Sequence, residues 1–289
     1  MAQIQNITRS FADFQGEDGD YTNAPLMSFQ ALIVMAIVYL VLRFGLEKYM
    51  VDKKPVDTQF PAMVSNALLA VGSAWMFWGF ASQLYENWSA ENWDLNLLVC
   101  DPDLKLQNSM DKFIYVFYLS KFWEYIDTLF LILGKKQVIG LHWFHHLITP
   151  SICWVAYQYP GACAWMGPLS NAFVHVCMYT YYTLTYFSMP RTFGKYITQI
   201  QITQFLGNVM LFTVIFANLL FGQGHQQCGG SWLFYIYVMA NYVNFLFMFK
   251  SFNTARLAKL NKKKRAAQLE RESKAAFAEA ALDEQKKSR

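Results

Sequence analysis

Seven apolar runs, each close to the length that crosses a lipid bilayer, decide what this chain can fold into. They cover residues 28–46, 63–84, 113–133, 138–157, 165–187, 198–221 and 232–252. A helix needs about 20 mostly apolar residues to span the hydrocarbon core, and lipid offers no water to satisfy an open backbone. The expected fold class is therefore all-α, a polytopic membrane protein of about seven transmembrane helices. Hydrophobic residues make up 55% and aromatics 18% of the chain, more than a soluble domain carries. The mean hydropathy is only +0.17 because the charges are swept to the two ends and into short connections. The fourth run is the least regular, since Pro150 interrupts it.

The connections also orient the runs. Arg43, Lys48, Lys53 and Lys54 follow the first, Lys135 and Lys136 the third, Arg191 and Lys195 the fifth, and Lys262-Lys263-Lys264-Arg265 the seventh. The positive-inside rule assigns these segments and the C-terminus to the cytosol. The acidic segment 85–111 and the uncharged segment 222–231 then face the lumen, as does the polar stretch before the first run, which lacks the layout of a cleaved signal peptide. Two glycosylation sequons, Asn6-Ile7-Thr8 and Asn87-Trp88-Ser89, fall on that same side. So do Cys100 and Cys228, where a disulfide could persist, while Cys153, Cys163 and Cys177 sit in or beside the runs. This divides the chain into a lumenal segment 1–27, a transmembrane catalytic domain 28–252 and a charged cytosolic tail 253–289. The tail is too polar to build a core. It ends Lys286-Lys287-Ser288-Arg289, which resembles the dilysine retrieval address of endoplasmic-reticulum membrane proteins and is also how a lysine-rich tail ends by chance.

Against this apolar background, three of the five histidines crowd into Leu141-His142-Trp143-Phe144-His145-His146-Leu147. At helical spacing His142 shares a face with His145 and His146. A titratable group among lipid and helices costs free energy unless it has a partner or a task. The other polar residues inside the runs are few. Lys121, Glu124, Asp127 and Thr128 lie in the third; Asn171, His175, Met178, Tyr179, Tyr181 and Tyr182 in the fifth; Thr198, Gln201 and Gln204 in the sixth. Counting from the basic connections at ~1.5 Å per residue, Asp127, His142, His145, Gln201, Gln204 and Tyr182 come to one layer on the order of 10–15 Å inside the cytosolic boundary. His175 lies deeper. Convergence from helices running in both directions points to one buried reaction chamber, a tunnel open to the cytosol.

Two chemistries suit such a chamber. A histidine box of the kind found in membrane di-iron enzymes would need more imidazoles than this chain supplies, and His225 lies in a lumenal connection. A mononuclear zinc site on His142, His146 and another residue remains an alternative, since three protein ligands suffice. The other chemistry is covalent and acid–base, with a neutral imidazole as nucleophile or base and neighbouring Tyr and Asp residues to orient it. A seven-span receptor or transporter that binds without chemistry is a third reading; a histidine-rich polar layer and the lack of an internal repeat argue against it.

The order Lys121-x-x-Glu124-x-x-Asp127-Thr128, His142-x-x-His145-His146, His175-x-x-Met178-Tyr179-x-Tyr181-Tyr182 and Thr198-x-x-Gln201-x-x-Gln204 resembles the four signature motifs of the ELO family, elongation of very-long-chain fatty acids. The resemblance runs from the first apolar run to the seventh. It implies a 3-ketoacyl-CoA synthase of the endoplasmic reticulum, which condenses acyl-CoA with malonyl-CoA with loss of CO2. By that analogy His145 takes the acyl group. His142, His146 and His175 serve as acid–base or orienting groups, and Asp127, Tyr179, Tyr182, Gln201 and Gln204 as orienting or hydrogen-bonding groups. Lys135, Lys136, Arg191, Lys195 and Lys250 would hold the CoA phosphates, although the positive-inside rule alone would place cations there. The resemblance calls for no metal and no cofactor beyond the two CoA substrates. The expected partners are the bilayer, the other enzymes of the elongation cycle and, if the protein is a homo-oligomer, a second copy; nucleic acid is not among them.

Overall fold

The computed structural model describes residues 21–101, 103–221 and 230–287. Every regular element among them is helical: α1 (Phe29–Leu40), a π-helical segment (Val41–Leu46), α2 (Glu47–Met50), α3 (Gln59–Ala90), α4 (Leu95–Val99), α5 (Lys105–Ser109), α6 (Asp111–Trp123), α7 (Tyr125–Leu133), α8 (Gly140–Gln158), α9 (Met166–Tyr186), a 3-10 turn (Arg191–Phe193), α10 (Gly194–Phe221) and α11 (Trp232–Lys287). Among the described residues four stretches are long and apolar enough to cross a membrane: Phe29–Met50, Gln59–Ala90, Gly194–Asn218 and Trp232–Lys274. The third, fourth and fifth apolar runs form helices of their own. Their polar residues, and a break at Glu124 that divides the third run into α6 and α7, keep them out of that set.

The chain separates into two units, one ending at Leu246 and one beginning at Phe247. In the second unit the described side chains are mostly exposed, and Lys274 pairs with Glu270 one turn away at 2.7 Å. The tail sequence therefore forms a helix with this charge pair along its surface.

In the first unit α3 lies along α9, α9 along α10, and α6 against α8. α3 also packs on α6. Gly79 of α3 meets α6 where a Cβ would stand 2.0 Å from the Phe113 ring, so only glycine admits that contact. The basic ends of the helices are joined by backbone bonds, Val56 N–H to the Leu133 carbonyl at 2.9 Å, and by a cluster of Met50, Ile132 and Val138 packed with Leu42, Leu46 and Trp143.

At the opposite end, residues 21–27 are bound to the ends of α6 and α8. The Tyr157 hydroxyl accepts from Tyr21 N–H at 2.6 Å, Tyr115 and Tyr118 donate to the Pro25 and Leu26 carbonyls at 3.1 and 2.7 Å, and Trp154 Nε1 donates to the Met27 carbonyl at 2.7 Å. Met27 is buried, and Tyr21 stacks on Tyr115. The last seven residues of the segment 1–27 thus form a plug of aromatic hydrogen bonds, because buried carbonyls need donors. On the same side Asp101 Oδ2 accepts from the N–H groups of Leu106 and Gln107. Burial pushes the Asp101 carboxyl above the usual carboxylate value. Cys100 is disulfide-bonded, and Cys153, Cys163 and Cys177 are free thiols. Cys228, His225 and the sequon at Asn6 lie outside the described residues. Gly230, at φ 122°, bridges to Gly161 where a Cβ would stand 2.6 Å from the partner's Cα, a contact and a conformation open only to glycine.

Candidate active site

The histidines gather because α8 projects them on one face. The ring centroids of His142 and His146, one turn apart, are 4.3 Å from each other, and those of His145 and His146 are 5.5 Å apart. Pro150, one turn on, cannot donate an N–H to the His146 carbonyl, and the Thr149 hydroxyl donates to the His145 carbonyl at 2.5 Å. The backbone below the box is thus held partly by a side chain.

Glu124, at the break between α6 and α7, is the hub of the cluster. It is almost fully buried and so is Lys121, whose Nζ donates to Glu124 Oε1 at 2.7 Å and to Asn171 Oδ1 at 3.2 Å. The same carboxylate faces His175 Nδ1 at 3.4 Å and His146 Nδ1 at 3.7 Å. A buried charge is tolerated only when paired, and here one carboxylate faces an ammonium and two imidazoles from three helices.

The remaining residues hang from this centre. Tyr179 donates to Asp127 Oδ2 at 2.9 Å and meets His175 edge-on at 5.2 Å. His142 Nε2 is hydrogen-bonded to Thr128 Oγ1 at 2.9 Å, which is in turn bonded to the Tyr39 hydroxyl at 3.1 Å. Gln201 Nε2 donates to Met178 Sδ. Gln204 lies one turn further along α10 with a buried, unpartnered Oε1. Tyr182 is 40% exposed and stands at the edge, its ring 6.3 Å from that of Tyr179.

One side of the cluster opens into an apolar cavity. His145, Asn171 and Gln204 are among its polar lining groups, and beyond them it is walled by Phe117, Cys153, Gly167, Phe212, Phe234 and Tyr242. His142, His146 and His175 do not line it.

The cations expected to bind phosphate are less uniform. Lys135, Lys136 and Lys195 are exposed; Lys135 Nζ donates to the Val51 carbonyl at 2.8 Å and Lys195 Nζ lies 4.6 Å over the Tyr196 ring. Lys250 is exposed and belongs to the second unit. Arg191 begins the 3-10 turn, and its side chain lies outside the described residues. Among the described residues no group of three His, Cys, Asp or Glu side chains is arranged to hold a metal ion.

From the sequence, Glu124 follows Lys121 by one helical step and can offset its charge, which is the one task its spacing suggests, and nothing marks Tyr39. The spacing of Glu124 on the Lys121 face was the signal available for the first. For Tyr39 there was none, since it is one hydroxyl in an apolar run.

The family model that describes the ELO, or GNS1/SUR4, family matches residues 24–265, from the aromatic plug into the basic tail. The chain belongs to the ELO family. Among curated ELO relatives, fatty acid elongase A of Dictyostelium discoideum is 33% identical over 204 residues, 69% of this chain and 73% of the relative. Fatty acid elongase sre1 of the same organism is 34% identical over 197 residues, 68% and 72% of the two chains. A very long chain fatty acid elongase of Aedes aegypti is 30% identical over 287 residues, 93% of this ELO chain and 75% of the relative.

Proposed function

We propose that this chain is a fatty acid elongase, a 3-ketoacyl-CoA synthase that joins an acyl-CoA to malonyl-CoA with loss of CO2 and yields a 3-ketoacyl-CoA two carbons longer. The observation that carries the reading is that His145 alone of the clustered histidines lines the apolar cavity. A thioester carbonyl set against His145, with its alkyl chain in that cavity, is at the one imidazole with both apolar room and polar neighbours.

In the first step an imidazole nitrogen of His145 attacks the acyl thioester carbonyl. The C–N bond forms, the C–S bond breaks, and the CoA thiolate leaves with a proton. Malonyl-CoA then loses CO2, the electron pair of the broken C–C bond remains on the α-carbon, and that carbanion attacks the acyl-imidazole. The new C–C bond displaces His145 as an imidazolate, which takes up one proton from water and returns to the neutral imidazole. Gln204 and Asn171 are suited to donate to developing oxyanions. Glu124 orients His146 and His175, and Asp127 holds Tyr179. The apolar cavity is read as the inner part of an acyl tunnel. We place all seven apolar helices in the endoplasmic-reticulum membrane with the N-terminus lumenal and the C-terminus cytosolic, and assign Lys136, Arg191 and Lys195 to the CoA phosphates at the basic mouth.

The test is incubation of the purified protein with acyl-CoA alone. Free CoA should appear in an amount close to that of the enzyme, and a mass increase equal to the acyl group should appear on the peptide carrying His142 to His146. His145→Ala should fold, insert and release none. Near-normal product from that variant removes His145 as nucleophile. Intersecting initial-rate plots, with no CoA released before malonyl-CoA is added, would replace the covalent route by a ternary complex at the same residues.

A further inference from the structure

The first apolar helix carries a charge that the chemistry above does not use. Arg43 sits in the π-helical segment Val41–Leu46, a geometry that occurs mostly as single turns at functional sites. Its side chain is only 10% exposed, although a long cationic side chain near the end of a span ordinarily extends to water. One guanidinium nitrogen, Nη1, donates to Glu47, which is itself half exposed, and Nε is buried with no partner. A cation drawn inward while its acid stays at the surface is not explained by that ion pair.

The packing shows what it is drawn toward. Tyr39, one turn away on the same helix, is linked through Thr128 to His142 Nε2. The Arg43 guanidinium carbon lies 5.0 Å from the Phe44 ring centroid, and Phe44 meets the ring of Trp143, the residue after His142, edge-on at 5.8 Å. The turn carrying Arg43 is therefore seated on the turn carrying His142. It lies on the side of the basic connections.

We infer that Arg43 binds an anionic group of a CoA thioester as it enters from the basic end, with Nε and the remaining N–H groups donating to it. The inference rests on the elongase reading. An arginine fork suits two oxygens of one anion. The CoA thioesters offer two such groups: the pyrophosphate common to both substrates and the carboxylate that only malonyl-CoA carries.

Two assays on the purified full chain separate them: CoA release from acyl-CoA alone, and the KM for malonyl-CoA in the complete reaction. Wild-type protein that makes no condensation product would sink the elongase reading itself, before any variant is compared. Given an active wild type, Arg43→Gln should raise the malonyl-CoA KM roughly tenfold or more, the loss of one charge-assisted hydrogen bond. If the partner is the malonyl carboxylate, the acyl-CoA dependence of CoA release stays unchanged. If it is the pyrophosphate, that dependence moves by a similar factor. Arg43→Lys keeps the charge but not the fork and should still raise the KM severalfold. The double variant Arg43→Gln with Glu47→Gln removes both charges, so a folding defect caused by an unpaired Glu47 would be absent and the KM shift would persist. Folded Arg43→Gln or Arg43→Lys protein with both dependences within about twofold of wild type would overturn the inference.

Discussion

Glu124→Gln gives the sharpest test of how this cluster is held. Lys121 and Glu124 are each 1% exposed and 2.7 Å apart, so the variant leaves an ammonium buried without its counter-charge. Removing one partner of a buried pair costs about 3–5 kcal/mol. The Asn171 amide oxygen, 3.2 Å from the Lys121 ammonium, stays in place, and the new glutamine oxygen can still accept, so the cost should fall near about 3 kcal/mol. Lys121→Met should cost less, because the stranded carboxylate still faces two imidazoles, either of which can take up a proton. The double variant lacks both charges of the pair and should return to within about 1 kcal/mol of wild type, since replacing both members of a buried pair is often close to neutral. Thermal unfolding of the four proteins in one detergent closes the cycle, and CoA release is measured alongside. Activity should not return with stability, because His146 and His175 have lost the carboxylate they face. Single-variant costs that simply add in the double variant would refute the pairing. A double variant that is both stable and active would refute the orienting role of Glu124.

Two further outcomes follow from single contacts. In Gly167→Ala the new Cβ would stand 2.0 Å from the Tyr242 hydroxyl, and both residues line the cavity; the expected cost is about 1–3 kcal/mol of stability with a shift toward shorter products, both largely relieved by adding Tyr242→Phe, and a product profile unchanged by Gly167→Ala would show that the acyl chain does not pass there. Tyr179→Phe removes the 2.9 Å donor to Asp127 and should lower thermal stability by about 1.5–3 kcal/mol, the range for a hydrogen bond to a charged group, with unfolding midpoints that match wild type arguing against that bond.

Much of this arrangement is legible in the sequence where the physics is local. Each apolar run is helical, because length and apolarity favour helix, but α11 continues well past the seventh run and a break at Glu124 divides the third. The meeting of His142 with His146 is a matter of helical period. What escaped is non-local. Glu124 looked like a one-turn partner for Lys121, yet it also faces imidazoles from α8 and α9, and no spacing within the third run encodes that. Tyr39 reaches Thr128 across 89 positions of sequence, with nothing around it to mark it. The packing of residues 21–27 was hidden because their carbonyls, not their side chains, receive most of the bonds. Lys135 stands among the cations that the resemblance assigns to phosphate, and no spacing encodes the bond its ammonium donates to the Val51 carbonyl.

The break at Glu124 gives the third run the character of a joint rather than a strut. The Asp127 N–H closes a three-residue turn onto the Glu124 carbonyl at 3.1 Å, tighter than the four-residue bond that the Glu124 N–H makes to the Ser120 carbonyl. Asp127 and Thr128, which hold Tyr179 and His142, ride on the second segment; Tyr115 and Tyr118, which grip the plug, ride on the first. Between those two anchorages stand Lys121 and Glu124, so a change at this one turn would be felt at the plug and at the histidines alike.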